Sequence, residues 1–322
     1  MQGFDYKAPS SAADALALAG ERSAFLAGGT TLVDLMKLDV VTPERVIDIN
    51  SVPLRGITHD RDVLVIGALE RMSDVAVHRD VVTQYPVLAQ ALLASASGQL
   101  RNMASMGGNL LQRSRCDYFR DVRTPCNKRT PGSGCPAQTG DNRGHAILGT
   151  SSSCVSTHPS DLAVALTALD ASVVLQSRSG SRTVGLADFY RLPGDTPWVE
   201  NVLEPGELIA AIRVPRLVWA RNSAYVKIRD RSSYEFALTS AAVALDTVAG
   251  VVRDARVAVG GVGTRPWRLP QVEAALRGKP ATEENFAAAA LLSVAGARPL
   301  AHNAFKVTLV QRTIVRALAG VR

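Results

Sequence analysis

Aromatic residues make up only 5% of this 322-residue chain, and no basic run is interleaved with Phe, Tyr or Trp. The stacking platforms that hold single-stranded nucleic acid are missing, so no nucleic-acid partner is expected. No window approaches the roughly eighteen uncharged apolar residues of a spanning helix, and no membrane span is expected either. The opening MQGFDYKAPS has no apolar stretch behind its lysine, so no signal peptide is expected in this chain. The three-glycine fingerprint G-x-G-x-x-G is lacking, as is a phosphate loop ending in Gly-Lys-Ser or Gly-Lys-Thr, which argues against a Rossmann-bound nucleotide or ATP. No Ser-His-Asp, Cys-His or paired-carboxylate motif stands at a recognisable spacing, which disfavours a self-contained hydrolase.

What the chain does have is apolar material, 47% of it, enough for the cores of two ordinary domains. The net charge of +7 is local: residues 112–154 carry seven basic and three acidic side chains, and residues 298–322 five basic and no acidic ones. Near the N-terminus the pattern alternates. Ser10 or Ser11 caps a helix over 12–19, a short strand over 24–27 ends at Gly28-Gly29, and Thr30 and Thr31 open a helix over 32–38. Strands follow at 45–49 and 63–67, then an apolar helix over 86–96 and a second glycine-rich loop through 98–102 and 105–110. Helical periodicity returns over 158–169, with strands at 171–176 and 208–214. After Pro215 the grammar changes. Residues 225–229, 237–246 and 251–260 are β-rich, the last two flanking Ala249-Gly250 as a hairpin does, and helices are predicted over 266–277, 283–295 and 304–318. The fold class is α+β, with a domain boundary near 216.

Two loops could seat one extended phosphorylated ligand. Gly28-Gly29-Thr30-Thr31 lies between a strand and a helix start, where amides and the positive helix end favour a diphosphate, unless it is only a tight turn. Residues 105–109 offer a hydroxyl, two glycines and an amide, suited to phosphate and ribityl oxygens. Asp161 falls in a first helical turn, as a dipole-favoured carboxylate or as an acceptor for a ligand hydroxyl. Lys227 lies on an apolar strand, either exposed or aimed into a cleft where it would stabilise an anionic cofactor. His158, with no second histidine at ligand spacing, reads as a turn residue.

The four cysteines, Cys116, Cys126, Cys135 and Cys154, fall within 39 residues, in a stretch of about 112–154 that lacks periodicity and is punctuated by Pro and Gly. Such a segment inside a compact domain is disordered, functional or cross-linked. The spacing C-x9-C-x8-C-x18-C contains no short zinc knuckle, and a chain with a large core has little need of disulfides. On spacing alone, an iron–sulfur cluster, zinc and disulfides all stay open. The flanking Arg113, Arg115, Arg120, Arg123, Lys128 and Arg129 form a solvated surface or offset the charge of a thiolate-bound centre.

Together these pieces resemble the FAD-binding medium subunit of the molybdenum-hydroxylase (xanthine oxidase) family, and within it the flavin subunit of the periplasmic aldehyde oxidoreductase type, which carries an extra 4Fe-4S cluster. The segments that carry the resemblance are FLAGGTTLVDLMKL, GQLRNMASMGGNLLQRSRCDYFRD, PCNKRTPGSGC, HPSDLAVAL and YVKIRDRSSYEFAL, spread over nearly the whole chain. Ordinary medium subunits pass from the GGN loop to the S-D-L helix in a few residues; here the cysteine segment is inserted between them. The resemblance implies a two-subdomain FAD-binding domain of the vanillyl-alcohol-oxidase (PCMH) type over 1–216, with the cysteine segment inserted at about 112–154. A C-terminal domain of antiparallel sheet plus helices would occupy 217–322. Phe25, Leu26, Ala27, Gly28, Gly29, Thr30, Thr31 and Leu32 would follow the FAD diphosphate, and Ser105, Gly108 and Asn109 would make a second phosphate and ribityl contact. Asp161 would bond FAD, Ile209 would lie on the strand passing it, and Lys227 would stand near it, with Ala96 and Gln99 on the same path. Cys116, Cys126, Cys135 and Cys154 would ligate the 4Fe-4S cluster. Ser95 and Ala96 stand where several members carry a bulky aromatic over the flavin, so the resemblance leaves the electron acceptor open.

The implied function is electron transfer. A large subunit with a molybdenum cofactor would oxidise an aldehyde, a small subunit with two 2Fe-2S centres would pass electrons to FAD, and an external acceptor would receive them. No residue of this chain need touch the aldehyde. Periplasmic residence would require export together with a signal-bearing partner. The alternatives are the flavin subunit of a hydroxybenzoyl-CoA reductase-like enzyme and a metal-stapled scaffold that has lost its flavin.

Overall fold

The structure, a computed structural model, describes residues 1–321. The chain opens on β1 (Asp5–Lys7), α1 (Ala12–Leu18), β2 (Ser23–Leu26), α2 (Leu32–Lys37) and β3 (Arg45–Asp48), whose strands pair in parallel in the order β1-β3-β2. Parallel pairing needs crossovers, which the predicted helices supply. Ser11 caps α1 by accepting the Asp14 amide at 3.1 Å.

A five-stranded antiparallel sheet follows, built from β4 (Ile57–Asp60), β5 (Val63–Gly67), β6 (Ser172–Ser177), β7 (Gly180–Gly185) and β8 (Leu208–Pro215) in the order β4-β5-β8-β6-β7. Between β5 and β6 run α3 (Met72–Val77), α4 (Arg79–Gln84), α5 (Pro86–Ala94), α6 (Gly98–Met103) and α7 (Met106–Leu110). The cysteine segment with α8 (Asp117–Arg120) comes next, then α9 (Asp161–Ala168); α10 (Leu186–Phe189) follows β7. The second glycine-rich loop is thus not a loop. Ser97 and Ser105 cap α6 and α7, accepting the Leu100 and Gly108 amides at 3.3 and 3.2 Å, and these caps outweigh the low helix propensity of glycine in such short turns. Every residue of α9 is buried, so it has no polar stripe. Leu162 and Leu166 join Leu64, Ile66, Leu88, Leu92, Val173 and Ile212 in one core.

The last sheet is antiparallel in the order β12-β11-β10-β9, from β9 (Ser223–Ile228), β10 (Thr239–Val248), β11 (Val251–Gly260) and β12 (Trp267–Arg268). Ala249 and Gly250, with φ of 48° and 77°, make the left-handed two-residue turn that a β10–β11 hairpin favours. The helix expected from 266 starts later: Trp267 and Arg268 pair with β11, and Pro270 opens α11 (Pro270–Leu276) at the first-turn position it tolerates. With α12 (Glu283–Ala290) and α13 (Phe305–Ala319) it shares the core of this sheet, which also takes in Ile147 and Leu148 from the cysteine segment. No described helix is long and apolar enough to cross a membrane.

Candidate functional site

The turn after β2, the ends of α6 and α7, the start of α9, β9 and the front of the cysteine segment enclose a cleft of about 1050 Å³, room for an extended ligand. The amides of Gly28, Gly29, Thr30 and Thr31 have no acceptor among the described residues, so four donors stand free at the mouth of α2. Gly29 sits at φ 72°, which glycine adopts without strain. Gly28 is required for a different reason: a Cβ there would lie 2.0 Å from the Met103 carbonyl oxygen at the end of α6. The loop is held from behind by Asn50, whose Nδ2 donates to the Ala27 carbonyl at 2.8 Å. Arg71 donates to Asn50 Oδ1 at 3.0 Å and to the Met103 carbonyl.

The second glycine stretch contributes differently. The Met106 and Gly107 amides are spent on the Glu70 and Ala68 carbonyls, and the Gly108 amide on Ser105 Oγ. Asn109 Oδ1 accepts from Ser160 Oγ at 2.6 Å. Ser105, Gly108 and Asn109 do line the cleft, but with side chains and a bare Cα rather than with free amides.

Asp161 and Lys227, 66 residues apart, meet in the wall of this cleft at 2.8 Å with side chains 6% and 4% exposed. Asp161 Oδ2 also accepts from Ser95 Oγ at 3.1 Å, and its Oδ1 from Tyr225 OH at 2.6 Å. Burial and the Asp161 charge push the Tyr225 phenol well above its ordinary range, which keeps it a donor. Lys227 Nζ also reaches the Ala94 carbonyl at 3.1 Å. Ala96 borders the cleft at φ 47°, an unusual conformation for a residue with a Cβ. Phe25, Ala27, Gly28, Gly29, Thr30, Thr31 and Leu32 line the cleft; Leu26, Ile209 and Gln99 do not. Ile209 is buried in the core beneath, and Gln99 is exposed on α6.

The four cysteines converge as well. Cys116, Cys126, Cys135 and Cys154 line one small cavity with Tyr118, Phe119 and Pro136, and none is in a disulfide. Among the described residues no three His, Cys, Asp or Glu side chains converge closely enough to hold a single metal ion. The four cysteine side chains lining this cavity are all thiols, the donor type that iron–sulfur clusters take. Burial pushes the Cys116 thiol up to about 12 and raises that of Cys135, so both are protonated at neutral pH. His145 Nε2 lies 3.2 Å from Cys116 Sγ, and Ser156 Oγ 3.3 Å from Cys154 Sγ.

The basic flank is mostly spoken for. Arg113 and Lys128 pair with Glu200, Arg123 with Asp121, and Arg129 donates to the Tyr118 and Phe119 carbonyls at 3.0 and 2.8 Å. Arg115 and Arg120 instead reach Asp34 on α2 and line the cleft. His158 packs edge-on against Tyr190 at 4.5 Å, and burial pushes it down to about 4, so it is a neutral structural residue.

A parallel sheet ending in free amides, a long cleft and a sheet that closes it with a buried ion pair define a protein that holds an extended phosphorylated cofactor. Residues 2–217 match the family described as the FAD binding domain in molybdopterin dehydrogenase, and residues 223–321 the CO dehydrogenase flavoprotein C-terminal domain. The chain belongs to this family of FAD-binding oxidoreductase subunits. It is 46% identical to the aldehyde oxidoreductase FAD-binding subunit PaoB of Escherichia coli, over 100% of this chain and 99% of that protein. The glyceraldehyde dehydrogenase medium chain of Sulfolobus acidocaldarius is 30% identical over 80% of this chain and 75% of its own length. Among solved structures, carbon monoxide dehydrogenase from Hydrogenophaga pseudoflava superposes with a TM-score of 0.77 at 28% identity, covering 99% of this chain and 97% of the other. The α+β, two-domain expectation therefore holds.

Proposed function

We propose that this chain relays electrons within a molybdenum-dependent aldehyde oxidoreductase, taking them from a molybdenum subunit and a small subunit with two 2Fe-2S centres and delivering them to an external acceptor. The observation that carries this reading is the presence of two sites in one chain: a cleft with four free amides, and a small cavity lined by four free thiols. The aldehyde class is supported by the name and 46% identity of the E. coli relative. FAD, when bound, exchanges electrons singly or in pairs, which lets one-electron iron–sulfur partners serve a two-electron acceptor.

Gly28, Gly29, Thr30 and Thr31 would hold its diphosphate through their amides. Ser105 and Asn109 would border the sugar-like chain, and the Asp161–Lys227 pair would close the cleft. Cys116, Cys126, Cys135 and Cys154 would hold a 4Fe-4S cluster. The assembly would be a heterotrimer or a dimer of heterotrimers, exported to the periplasm with a signal-bearing partner; recovery of the native complex from the cytosolic fraction after gentle lysis would refute the export.

The direct test is an anaerobic absorption spectrum before and after dithionite. Flavin bands over a broad brown shoulder, both bleaching, are expected. A folded, colourless protein never exposed to oxygen would make it a scaffold instead.

A further inference from the structure

Arg115 and Arg120 flank Cys116, yet both turn away from the thiol cavity to line the flavin cleft. They converge on one atom: Arg115 Nη1 and Arg120 Nη2 lie 3.1 and 2.7 Å from Asp34 Oδ2. Two guanidinium groups against one carboxylate leave an excess positive charge in a half-buried wall. Arg115 Nε is shielded from solvent and has no acceptor among the described residues, and the guanidinium lies 5.0 Å from the centre of the Phe236 ring. A buried donor without a partner, beside two like charges sharing one counterion, is costly unless an anion completes the set. The four free amides of residues 28–31 open onto the same cleft.

We infer that Arg115 and Arg120, with Asp34, form an anion subsite that the cysteine segment adds to the flavin cleft, and that it takes the diphosphate of the bound dinucleotide. The inference rests on the cleft being the FAD site and assigns the ligand charge it recognises. Guanidinium donors suit phosphate oxygens through charge-assisted, paired hydrogen bonds. Asp34 draws the two guanidinium groups to one oxygen and lowers the net charge they present.

The test compares FAD and riboflavin binding to the flavin-stripped full-length chain, with iron content monitored throughout. Arg115→Gln and Arg120→Gln should each weaken FAD about tenfold, and the double variant about a hundredfold, with riboflavin affinity unchanged because it lacks the diphosphate. Arg123→Gln, on the same segment but paired only with Asp121, is the control and should leave FAD affinity as it is. Asp34→Asn should tighten FAD, since it removes the compensating charge; a merely structural ion pair would weaken FAD on losing either partner. Equal loss of FAD and riboflavin, unchanged FAD binding in the double variant, or weaker FAD binding in Asp34→Asn would each overturn the subsite alone. A wild-type chain that takes up no flavin would overturn the FAD assignment, and the subsite with it.

Discussion

Replacing Asp161 with Asn keeps the shape of the side chain and removes its charge, so it isolates what the buried carboxylate contributes. The carboxylate takes three donors: Tyr225 OH on Oδ1, and Lys227 Nζ and Ser95 Oγ on Oδ2. In the Asp161→Asn variant one of those oxygens becomes an NH2 donor. The Tyr225 and Ser95 hydroxyls can turn to accept from it; the Lys227 ammonium cannot. Lys227, 4% exposed, keeps at most the neutral amide oxygen and the Ala94 carbonyl at 3.1 Å as acceptors, and has no anion. Removing one partner of a buried pair costs about 3–5 kcal/mol. Urea denaturation at neutral pH should show a loss of that size in Asp161→Asn. Lys227→Met should cost less, because two hydroxyl donors still serve the carboxylate. The double variant should recover at least about 2 kcal/mol relative to the sum of the singles, which is the coupling expected of residues in contact. A loss under about 1 kcal/mol for Asp161→Asn, with additive behaviour in the double variant, would show that the pair is solvated in solution and does not close the cleft.

Gly28→Ala forces a Cβ to within 2.0 Å of the Met103 carbonyl, so α6 must shift; a cost of about 1–3 kcal/mol and lower FAD retention are expected, and calorimetry with flavin quantitation checks both. Cys126→Ser should lower bound iron and open the 112–154 segment to protease; unchanged iron and cleavage pattern would remove Cys126 from the ligand set. His158 is neutral in the fold, at about 4 against an ordinary 6.5. Between those values the unfolded chain binds more protons, so stability falls on acidification through that window, by up to about 3 kcal/mol. His158→Gln should flatten the pH dependence of stability there, and a variant curve parallel to wild type would contradict the assignment.

Much of the fold is written locally and can be read. The Ser11 cap, the β2–turn–α2 alternation and the Ala249-Gly250 hairpin each depend on a few adjacent residues whose φ preferences and hydrogen bonds point one way. The α6–α7 stretch misleads because its glycines mask two serine caps, a signal that is present at Ser97 and Ser105. Asp161 and Lys227 are legible as candidates but not as a pair, since β9 brings them together across 66 residues. Tyr225, Asn50 and Arg71 escape a sequence reading altogether, as does the bond from Ser95 to Asp161. Their roles come from contacts made only in the folded chain, and their residue types carry no local mark of them. The arginines flanking Cys116 read, through their sequence neighbours, as a solvated surface or as charge compensation for the thiols. Their actual partner, Asp34, is 81 and 86 residues away.

That partnership explains why the cysteine segment stands where it does. Leu35 of α2 packs with Val40 against Phe119 and Cys126, while Asp34 on the same helix holds Arg115 and Arg120. The turn that opens α2 presents its amides to the cleft. One short helix therefore serves as a wall for both sites. The segment from 112 to 154 has few apolar residues and little regular structure, so burial alone contributes little toward the entropy of ordering it. Lys306, fully buried on α13, fastens its far end through the Gly144 and His145 carbonyls at 2.9 and 3.0 Å. The near end, around Cys116, is held by the small Leu35–Phe119 cluster, the two ion pairs to Asp34, the Arg113–Glu200 pair and the bonds from Arg129 to the Tyr118 and Phe119 carbonyls. A centre bound by all four thiols would close that end as a cross-link, and the stiffness it adds would be felt first at α2. Loss of the centre would then loosen FAD before it unfolded the chain, because the cleft shares the wall that the cross-link holds.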